Sequence, residues 1–191
     1  MRVIAGSLRG RVLAAPAGME TRPTADRLRE TLFNVLTQGA RDRVAGMGFL
    51  DLYAGSGAVG IEAASRGASP VVFVEQGAAA LGVLRKNLDG LGLKAAGIRV
   101  EKRGVGRFLR GLSAQSEVFG VVFLDPPYEA ADEYAGTLEL LGGECAGLVA
   151  DGGWVVAEHR RKRSLEERYG RLRRVRVIEQ GDAGLSFYAV G

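Results

Sequence analysis

Residues 49–60 read Phe49-Leu-Asp-Leu-Tyr-Ala-Gly55-Ser-Gly57-Ala-Val-Gly60 and decide the fold. Residues 49–53 are predicted to form a strand, the glycines a tight turn, and residues 60–66 the start of a helix. Glycine allows the backbone to turn sharply and to approach a bound ligand closely. The stretch therefore predicts a strand, a ligand-binding turn and a helix, the unit from which α/β sheets are built.

The same alternation of strand and helix continues through the rest of the chain. It predicts an α/β fold with a seven-stranded, mostly parallel sheet and helices on both faces. A short turn joins the last two strands, which predicts an antiparallel last strand. Residues 1–18 are predicted to form a short N-terminal β-hairpin extension and residues 19–191 the main domain. The predicted strands are 49–53, 71–75, 98–100, 118–124, 154–157, 172–178 and 185–190; the predicted helices follow Pro23 and span 60–66, 78–91, 105–112 and 134–149.

Length and composition predict a single cytoplasmic domain. The 191 residues are 47% hydrophobic, which suffices for one well-packed core. No window approaches the roughly 18 consecutive apolar residues of a membrane span, and the opening residues lack the apolar core of a secretory signal. Cys145 is the only cysteine, so we expect no internal disulfide and a cytoplasmic location.

Basic residues are concentrated in two segments, although the formal net charge is only +4. Arg2, Arg9 and Arg11 lie in an opening segment without acidic residues, and residues 160–176 contain nine basic residues. This clustering predicts an anionic partner, with RNA or DNA first. The alternative is a solvated arginine-rich surface.

Two acidic residues accompany the glycine turn. Asp51 lies four residues before Gly55, and Glu75 ends the next strand, where it can accept hydrogen bonds from ribose hydroxyls. The Gly55-x-Gly57-x-x-Gly60 spacing also fits a dinucleotide fingerprint. A pyrophosphate would be repelled by Asp51, whereas the ammonium and sulfonium groups of S-adenosylmethionine would be attracted. The sequence favours S-adenosylmethionine, and the alternative role of Asp51 is a helix cap or a structural hydrogen-bond acceptor.

A second motif, Asp125-Pro-Pro-Tyr128, follows the continuously apolar strand 118–124. Strands that flank the switch point of an open sheet end at one crevice, so Asp125 should face the same crevice as Gly55. The Asp125 carboxylate and the rigid Pro126 carbonyl offer two acceptors that can hold an exocyclic amine of a base. Tyr128 can stack on an unpaired base, and Asp125 can accept the proton released on transfer. The alternative is an ordinary proline turn after a strand.

Together these motifs resemble those of class I amino-methyltransferases. Two further stretches, Arg2–Arg11 and Thr21–Asn34, are similar to the opening hairpin and N-terminal helix of the RsmD family. RsmD enzymes methylate N2 of a guanine in 16S ribosomal RNA, on an assembled or assembling small subunit. The resemblance implies a Rossmann-like class I methyltransferase fold, S-adenosylmethionine as cofactor and 16S rRNA as partner. We expect no metal, and nothing in the sequence demands more than a monomer.

The resemblance also implies a role for each motif residue. The turn and the next strand end would bind the cofactor through Asp51, Tyr53, Ala54, Gly55, Ser56, Gly57, Gly60, Glu75, Gln76 and Val105. The guanine amine would be held by the catalytic residues Asp125, Pro126, Pro127 and Tyr128. RNA phosphates and the mouth of the site would be contacted by Arg9, Arg11, Arg22, Thr24 and Arg27. For Arg22 and Arg27 the alternative is a solvated helix face.

One region departs from the family pattern. After the third strand the family usually has a polar residue that reads the adenine amine, but this chain has Lys102-Arg-Gly-Val-Gly106. Adenine recognition is therefore expected to rest on backbone groups. Glu158 and His159 end the fifth strand, and His159 and Asn87 are expected to have structural roles.

Four other functions fit parts of the sequence. A DNA adenine-N6 methyltransferase has a similar catalytic motif but generally needs a target-recognition region, for which there is little room. A protein-glutamine methyltransferase carries asparagine in place of Asp125. An NAD-dependent oxidoreductase fits the glycines but not Asp51 or the Asp-Pro-Pro-Tyr motif. A non-catalytic RNA-binding protein on the same scaffold would not need all the motif positions filled, as they are here.

Overall fold

The computed structural model describes residues 1–15, 23–38, 41–93, 97–112, 117–127 and 130–191, with the backbone alone at 23–25 and 131. The helices are α1 (Pro23–Thr37), α2 (Ala58–Ser65), α3 (Ala78–Gly90), α4 (Val105–Gly111) and α5 (Ala131–Gly142), followed by a 3-10 turn at Ala146–Leu148. The strands are β1 (Phe49–Leu52), β2 (Val71–Val74), β3 (Ile98–Glu101), β4 (Phe119–Leu124), β5 (Val149–Arg160), β6 (Arg168–Tyr169), β7 (Leu172–Gln180) and β8 (Ala183–Val190).

The strands form one sheet in the order β3-β2-β1-β4-β5-β8-β7-β6. Strands β1 to β5 are parallel to one another, and β8 is antiparallel to both β5 and β7. The predicted α/β class and the antiparallel last strand are confirmed. The sheet has eight strands rather than seven, because Arg168 and Tyr169 pair with the start of β7.

Two hydrophobic clusters cover the two faces of the sheet, and this explains why its central strands are apolar at every position except Asp51. Residues of α1, α2 and α3 pack on one face, with Phe33 and Leu84 fully buried there. Residues of α4 and α5 pack on the other face around Tyr134 and Leu138. Consecutive residues of a strand point to opposite faces, so every side chain of β1, β2 and β4 is buried.

Two predicted boundaries near the end of the chain were wrong. Helix α5 was expected to run over 134–149 but ends at Gly142, because a Cβ at that position would lie 1.8 Å from the Tyr169 carbonyl oxygen. The close approach of the β6 strand thus fixes where the helix stops. Strand β5 is also longer than predicted, since Glu158, His159 and Arg160 continue to pair with β8.

Residues 1–15 form a hairpin with a single bridge between Arg2 and Val12, instead of two full strands. It lies against α2. The Glu62 carboxylate accepts hydrogen bonds from the Ile4 and Ala5 amides at 2.7 and 3.0 Å. The hairpin side chains Val3 and Leu13 are buried in the same cluster as α1 to α3. The opening segment therefore packs against the main domain, and the predicted boundary between residues 18 and 19 lies outside the described residues.

Replacing Glu62 should weaken the whole domain. Its fully buried carboxylate also accepts from Arg66 Nε at 2.8 Å, so Glu62→Ala leaves two backbone amides and a guanidinium without their acceptor. We expect the free energy of unfolding to fall by about 3 kcal/mol, as measured by urea denaturation. Glu30→Ala, on the exposed side of α1, should change it by no more than about 0.5 kcal/mol. Equal stability of the two variants would contradict this role.

Candidate active site at the carboxyl ends of β1, β2, β4 and β5

The candidate site lies where the strand order reverses, between β1 and β4. These strands pair in parallel, with Leu52 opposite Leu124, so Tyr53 and Asp125 are the next residues at the same edge. The glycine turn and the Asp125 motif, seventy residues apart in sequence, therefore meet at one edge of the sheet, as predicted. Open α/β sheets bind their ligands at this kind of position.

The glycine turn is fixed by the carboxylate that ends β2. Glu75 accepts a hydrogen bond from the Gly55 amide at 2.9 Å through Oε2 and one from the Gly77 amide at 2.7 Å through Oε1. Gly55 has a φ of +55°, in the left-handed region that favours glycine. The turn is thus held directly against Glu75, whose half-buried carboxylate retains lone pairs for further donors.

Asp51 acts as a structural hydrogen-bond acceptor, which is the alternative role that the sequence left open. Its carboxylate is buried, with 2% of the residue exposed, and Oδ2 accepts a hydrogen bond from the Gly60 amide at 2.8 Å in the first turn of α2. Burial raises the pKa of Asp51 well above its ordinary value, and the negative charges of Asp125 and Glu75 raise it further. The three residues lie at or just after the carboxyl ends of the neighbouring parallel strands β1, β2 and β4, so their carboxyl groups share one region.

Gly57 and Gly60 are also required by packing. A Cβ on Gly57 would lie 2.3 Å from the Leu84 side chain, and one on Gly60 would lie 2.3 Å from the Phe73 ring. Both glycines are buried, so they let α2 lie directly on the sheet and on α3. This packing requirement is separate from the predicted contact of their backbone with a cofactor, which stays a prediction.

Tyr53 leaves β1 in a conformation that is rare for a residue with a side chain, with a φ of +62°. Its hydroxyl donates to Glu133 Oε2 at 2.6 Å and lies 2.8 Å from Thr137 Oγ1, both on α5. Such strain is characteristic of functional sites when the surrounding contacts maintain it. Here α5 maintains it, and it places the Tyr53 backbone between the glycine turn and Asp125.

The remaining predicted cofactor residues differ in their backbone hydrogen bonds and in the exposure of their side chains. The Ala54 amide donates to the Val74 carbonyl, and the Ser56 carbonyl accepts from Asn87 Nδ2 at 2.9 Å. Gln76 is exposed beyond the end of β2. Val105 is the first residue of α4, and its side chain is buried in the cluster that α4 and α5 form on the sheet.

Asp125 follows the buried strand β4 and is itself half-buried. Burial raises its pKa to about 7. The Pro126 carbonyl lies 3.3 Å from the buried Tyr134 hydroxyl, which also donates to the Glu158 carbonyl at 3.0 Å. Pro127 is exposed, and its carbonyl accepts from the Ala130 amide. Tyr128 lies outside the described residues.

The predicted RNA-binding residues fall into three groups. Arg9 and Arg27 are exposed. Arg11 is exposed but donates through Nη2 to the Gly90 carbonyl at the end of α3, at 2.8 Å. Arg22 and the side chain of Thr24 lie outside the described residues.

Sequence reasoning missed two side chains that the fold brings to this edge. Glu158, at the end of β5, interacts electrostatically with both Asp125 and Arg29, and Arg29 is a buried residue of α1. The sequence could have indicated Glu158, because Glu158 ends the next predicted strand after the one that Asp125 follows. No sequence pattern indicated Arg29, because its burial depends on how α1 packs against the sheet.

The two residues expected to be structural are structural. His159 is buried, with Nε2 2.9 Å from Ser186 Oγ and Nδ1 2.9 Å from the Arg160 carbonyl. Burial lowers the pKa of His159. Asn87 exchanges two hydrogen bonds with the Ala14 backbone while it holds the Ser56 carbonyl.

The arrangement suits a cationic ligand. In dinucleotide-binding folds the amides of the glycine turn and the helix N-terminus receive a pyrophosphate. Here the Gly55 and Gly60 amides already donate to Glu75 and Asp51, and Asp125 adds a third carboxyl group nearby. Within the described part of the chain, no group of His, Cys, Asp and Glu residues is arranged to hold a metal ion, and no helix is long and apolar enough to cross a membrane.

Comparison with known proteins places these features in a family. The family model described as Conserved hypothetical protein 95 matches residues 1–189. YlbH of Bacillus subtilis is 38% identical over 98% of both chains. Ribosomal RNA small subunit methyltransferase D of Escherichia coli strain K12 is 39% identical over 83% of this chain and 71% of its own. The solved structure of a hypothetical protein from Thermus thermophilus superimposes with a TM-score of 0.78 at 34% identity, covering 100% of this chain and 99% of that one.

The matches extend over the opening hairpin, the glycine turn and the strands that end at the candidate site. The fold superimposes with a TM-score of 0.77 on the solved structure of a putative methyltransferase from Escherichia coli, at 32% identity over 98% of this chain and 96% of that one. The chain therefore belongs to the RsmD family of ribosomal RNA methyltransferases.

Proposed function

We propose that this protein transfers a methyl group from S-adenosylmethionine to N2 of a guanine in 16S ribosomal RNA. One observation carries the proposal: the Glu75-anchored glycine turn and the half-buried Asp125 end neighbouring strands at a single site. A cofactor-binding turn beside an acceptor for an amine is what an amino-methyltransferase requires. The Escherichia coli relative supplies the class of substrate, since its name specifies small-subunit ribosomal RNA.

The residues of the site fit S-adenosylmethionine. Glu75 would accept hydrogen bonds from its ribose hydroxyls, and the backbone of residues 53–57 would surround its methionine part. The carboxylates of Glu75 and Asp125 favour its two cationic groups, and a bound cation in turn favours the ionised form of the buried Asp51. When bound, the cofactor supplies a methyl group that is already activated by its sulfonium. The chain therefore has to bind, orient and deprotonate the acceptor, and no metal is required for this.

Asp125 and Pro126 would act on the nucleophile. An exocyclic amine attacks poorly because its lone pair is delocalised into the base. Acceptance of its two N–H groups by the Asp125 carboxylate and the Pro126 carbonyl favours a pyramidal nitrogen and orients its lone pair. The Tyr134 hydroxyl at 3.3 Å helps to fix that carbonyl. Asp125 then receives the proton that the amine loses, and its raised pKa suits it to the task.

The proposed substrate is rRNA within the small subunit or an assembly intermediate, in the cytoplasm. Exposed Arg9 and Arg27 would contact phosphates, so binding should weaken as salt increases. The site is assembled from a single copy of the chain, and we propose that the protein acts as a monomer.

The test is transfer of tritiated methyl groups from S-adenosylmethionine. We expect labelling of small subunits that lack the modification, with the label recovered as N2-methylguanine after digestion. Naked 16S rRNA and duplex DNA are the comparison substrates. Recovery of the label as N6-methyladenine, with DNA as the best substrate, would replace the proposal with an adenine methyltransferase.

Activity should depend on the ionisation of Asp125. The protonated carboxyl can neither accept both the hydrogen bond and the proton nor attract the cationic cofactor. Because the pKa of Asp125 is about 7, kcat/KM should fall as pH drops through 7, by about tenfold per unit below it. Above pH 7 it should level off. Asp125→Asn has no carboxyl to titrate at this position, and it also removes a charge that raises the pKa of Glu158. The acid limb should therefore move to lower pH in Asp125→Asn; an unshifted limb would assign the ionisation to another group.

A further inference from the structure

Glu158 lies beside Asp125 at the end of the neighbouring strand. The β4–β5 register pairs Leu124 with Ala157, so Asp125 and Glu158 are the next residues along two adjacent strands. On its other side Glu158 pairs with Leu185 of β8, whose side chain is buried under α1. Paired residues of a sheet point to the same face. Glu158 is therefore directed to the face that α1 covers, next to the proposed position of the amine.

The Glu158 carboxylate is available for a donor. It is half-buried, and within the described ranges no group donates a hydrogen bond to it. Burial and the charge of Asp125 raise its pKa, while Arg29 opposes this shift. The Arg29 side chain is 5% exposed and donates from Nη2 to the Arg2 carbonyl at 2.7 Å. Its buried Nε has no hydrogen-bond partner among the described residues.

The three exocyclic amines of nucleic-acid bases differ in their neighbours on the base-pairing edge. The guanine N2 amine is adjacent to N1–H, which is a hydrogen-bond donor. The adenine N6 amine is adjacent to the unprotonated N1, and the cytosine N4 amine to the unprotonated N3, both of which are acceptors. A carboxylate beside the amine-binding acceptor therefore attracts guanine and repels the other two bases.

We propose that Glu158 is the residue that selects guanine, by accepting a hydrogen bond from N1–H while Asp125 holds the N2 amine. The inference rests on the proposed function and goes beyond it, because it assigns the choice of base to one side chain. Arg29 is a positioning residue here: fixed between α1 and the opening hairpin, it favours the ionised form of Glu158. The pair Asp125 and Glu158 thus matches two adjacent donors of guanine.

The test compares two substrates for the full-length protein. The first is the small subunit that lacks the modification. Labelling it with the wild-type protein identifies the guanine that receives the methyl group. The second is a small subunit whose rRNA carries adenine at that position. Glu158→Gln removes the negative charge and exchanges one carboxylate oxygen for an NH2 group that can donate to N1 of adenine, while its remaining oxygen can still accept from N1–H of guanine. We expect at least about a tenfold rise in the adenine-to-guanine ratio of kcat/KM.

Three further variants make the readout specific. Glu158→Ala removes the repulsion of adenine and should also raise the ratio, so the test does not depend on the folding of one variant. Glu158→Asp keeps the carboxylate and should keep the preference for guanine. Glu179→Gln, an exposed residue near the same edge that pairs with Arg161 at 2.8 Å, should behave like the wild type.

An unchanged adenine-to-guanine ratio in Glu158→Gln and Glu158→Ala overturns the proposal, whatever happens to the rate, since a purely structural residue would affect both bases alike. This outcome is distinct from failure of the proposed function. If the wild-type protein labels no guanine, the function itself is wrong. If the wild type labels guanine and the variants keep its preference, only the role of Glu158 is wrong.

Discussion

Asp125→Ala should reduce methyl transfer to the small subunit by about 1,000-fold, the middle of the range for loss of a positioned acid–base group. The variant removes both the acceptor that orients the amine and the group that receives its proton. Binding of S-adenosylhomocysteine should change little, because Glu75 and the glycine turn remain in place. Single-turnover transfer of tritiated methyl, with calorimetric titration of S-adenosylhomocysteine, measures the two effects separately.

Two controls support the interpretation of that loss. Asp125→Asn keeps one oxygen for the amine but cannot take the proton, so its rate should lie between those of the wild type and Asp125→Ala. Asp151→Ala changes an exposed aspartate near the opposite end of β5 and should leave transfer unaltered. A wild-type rate in Asp125→Ala would remove this residue from the mechanism.

Glu75→Ala should abolish most of the affinity for the cofactor. The substitution leaves the Gly55 and Gly77 amides without their acceptor, so the turn loses its support at the point where the ribose would bind. It also removes the proposed acceptor of the ribose hydroxyls. Hydrogen bonds to a charged group contribute about 1.5–3 kcal/mol each, which predicts at least roughly a 100-fold rise in Kd for S-adenosylhomocysteine.

The measurement is calorimetric titration together with a thermal-unfolding curve of each variant. Glu75→Gln, which retains one acceptor oxygen, should bind more tightly than Glu75→Ala. Glu139→Ala, on the exposed side of α5, is the matched control and should bind like the wild type. Undiminished affinity in a folded Glu75→Ala protein would show that the cofactor is held elsewhere.

The parts of the fold with a strong local pattern could be predicted from the sequence. The apolar strands β1, β2 and β4 are buried on both faces, and such continuous runs identify a central parallel sheet. The position of Asp125 and the glycine turn at the same edge of the sheet could also be predicted from the sequence, because alternating strands and helices allow only a few topologies. The family resemblance supplied the expected ligands, S-adenosylmethionine and ribosomal RNA.

What could not be predicted depended on contacts between distant segments. The end of α5 is set by the Tyr169 carbonyl, which approaches Gly142 from β6. The glycines at 57 and 60 are needed by the Leu84 and Phe73 side chains, although their spacing resembled that of a ligand-binding turn. Composition and periodicity contain no information about such pairs.

The candidate site predicted from the sequence was incomplete for the same reason. Glu158 followed a strand whose length was underestimated, and its approach to Asp125 depends on the β4–β5 register. Arg29 is on a helix in which only Thr24 and Arg27 were given a predicted role, and the docking of α1 buries it. The proximity of Glu158, Arg29 and Asp125 arises only when β4, β5 and α1 pack together.

A crystal structure of the complex with S-adenosylhomocysteine tests the central claim most directly. The account predicts ribose hydroxyls hydrogen-bonded to Glu75, and a sulfur atom that faces the space next to Asp125, where an acceptor nitrogen could lie within about 3–3.5 Å of a transferred methyl carbon. A nucleoside bound away from Glu75, or an Asp125 carboxylate turned away from the sulfur, would contradict it.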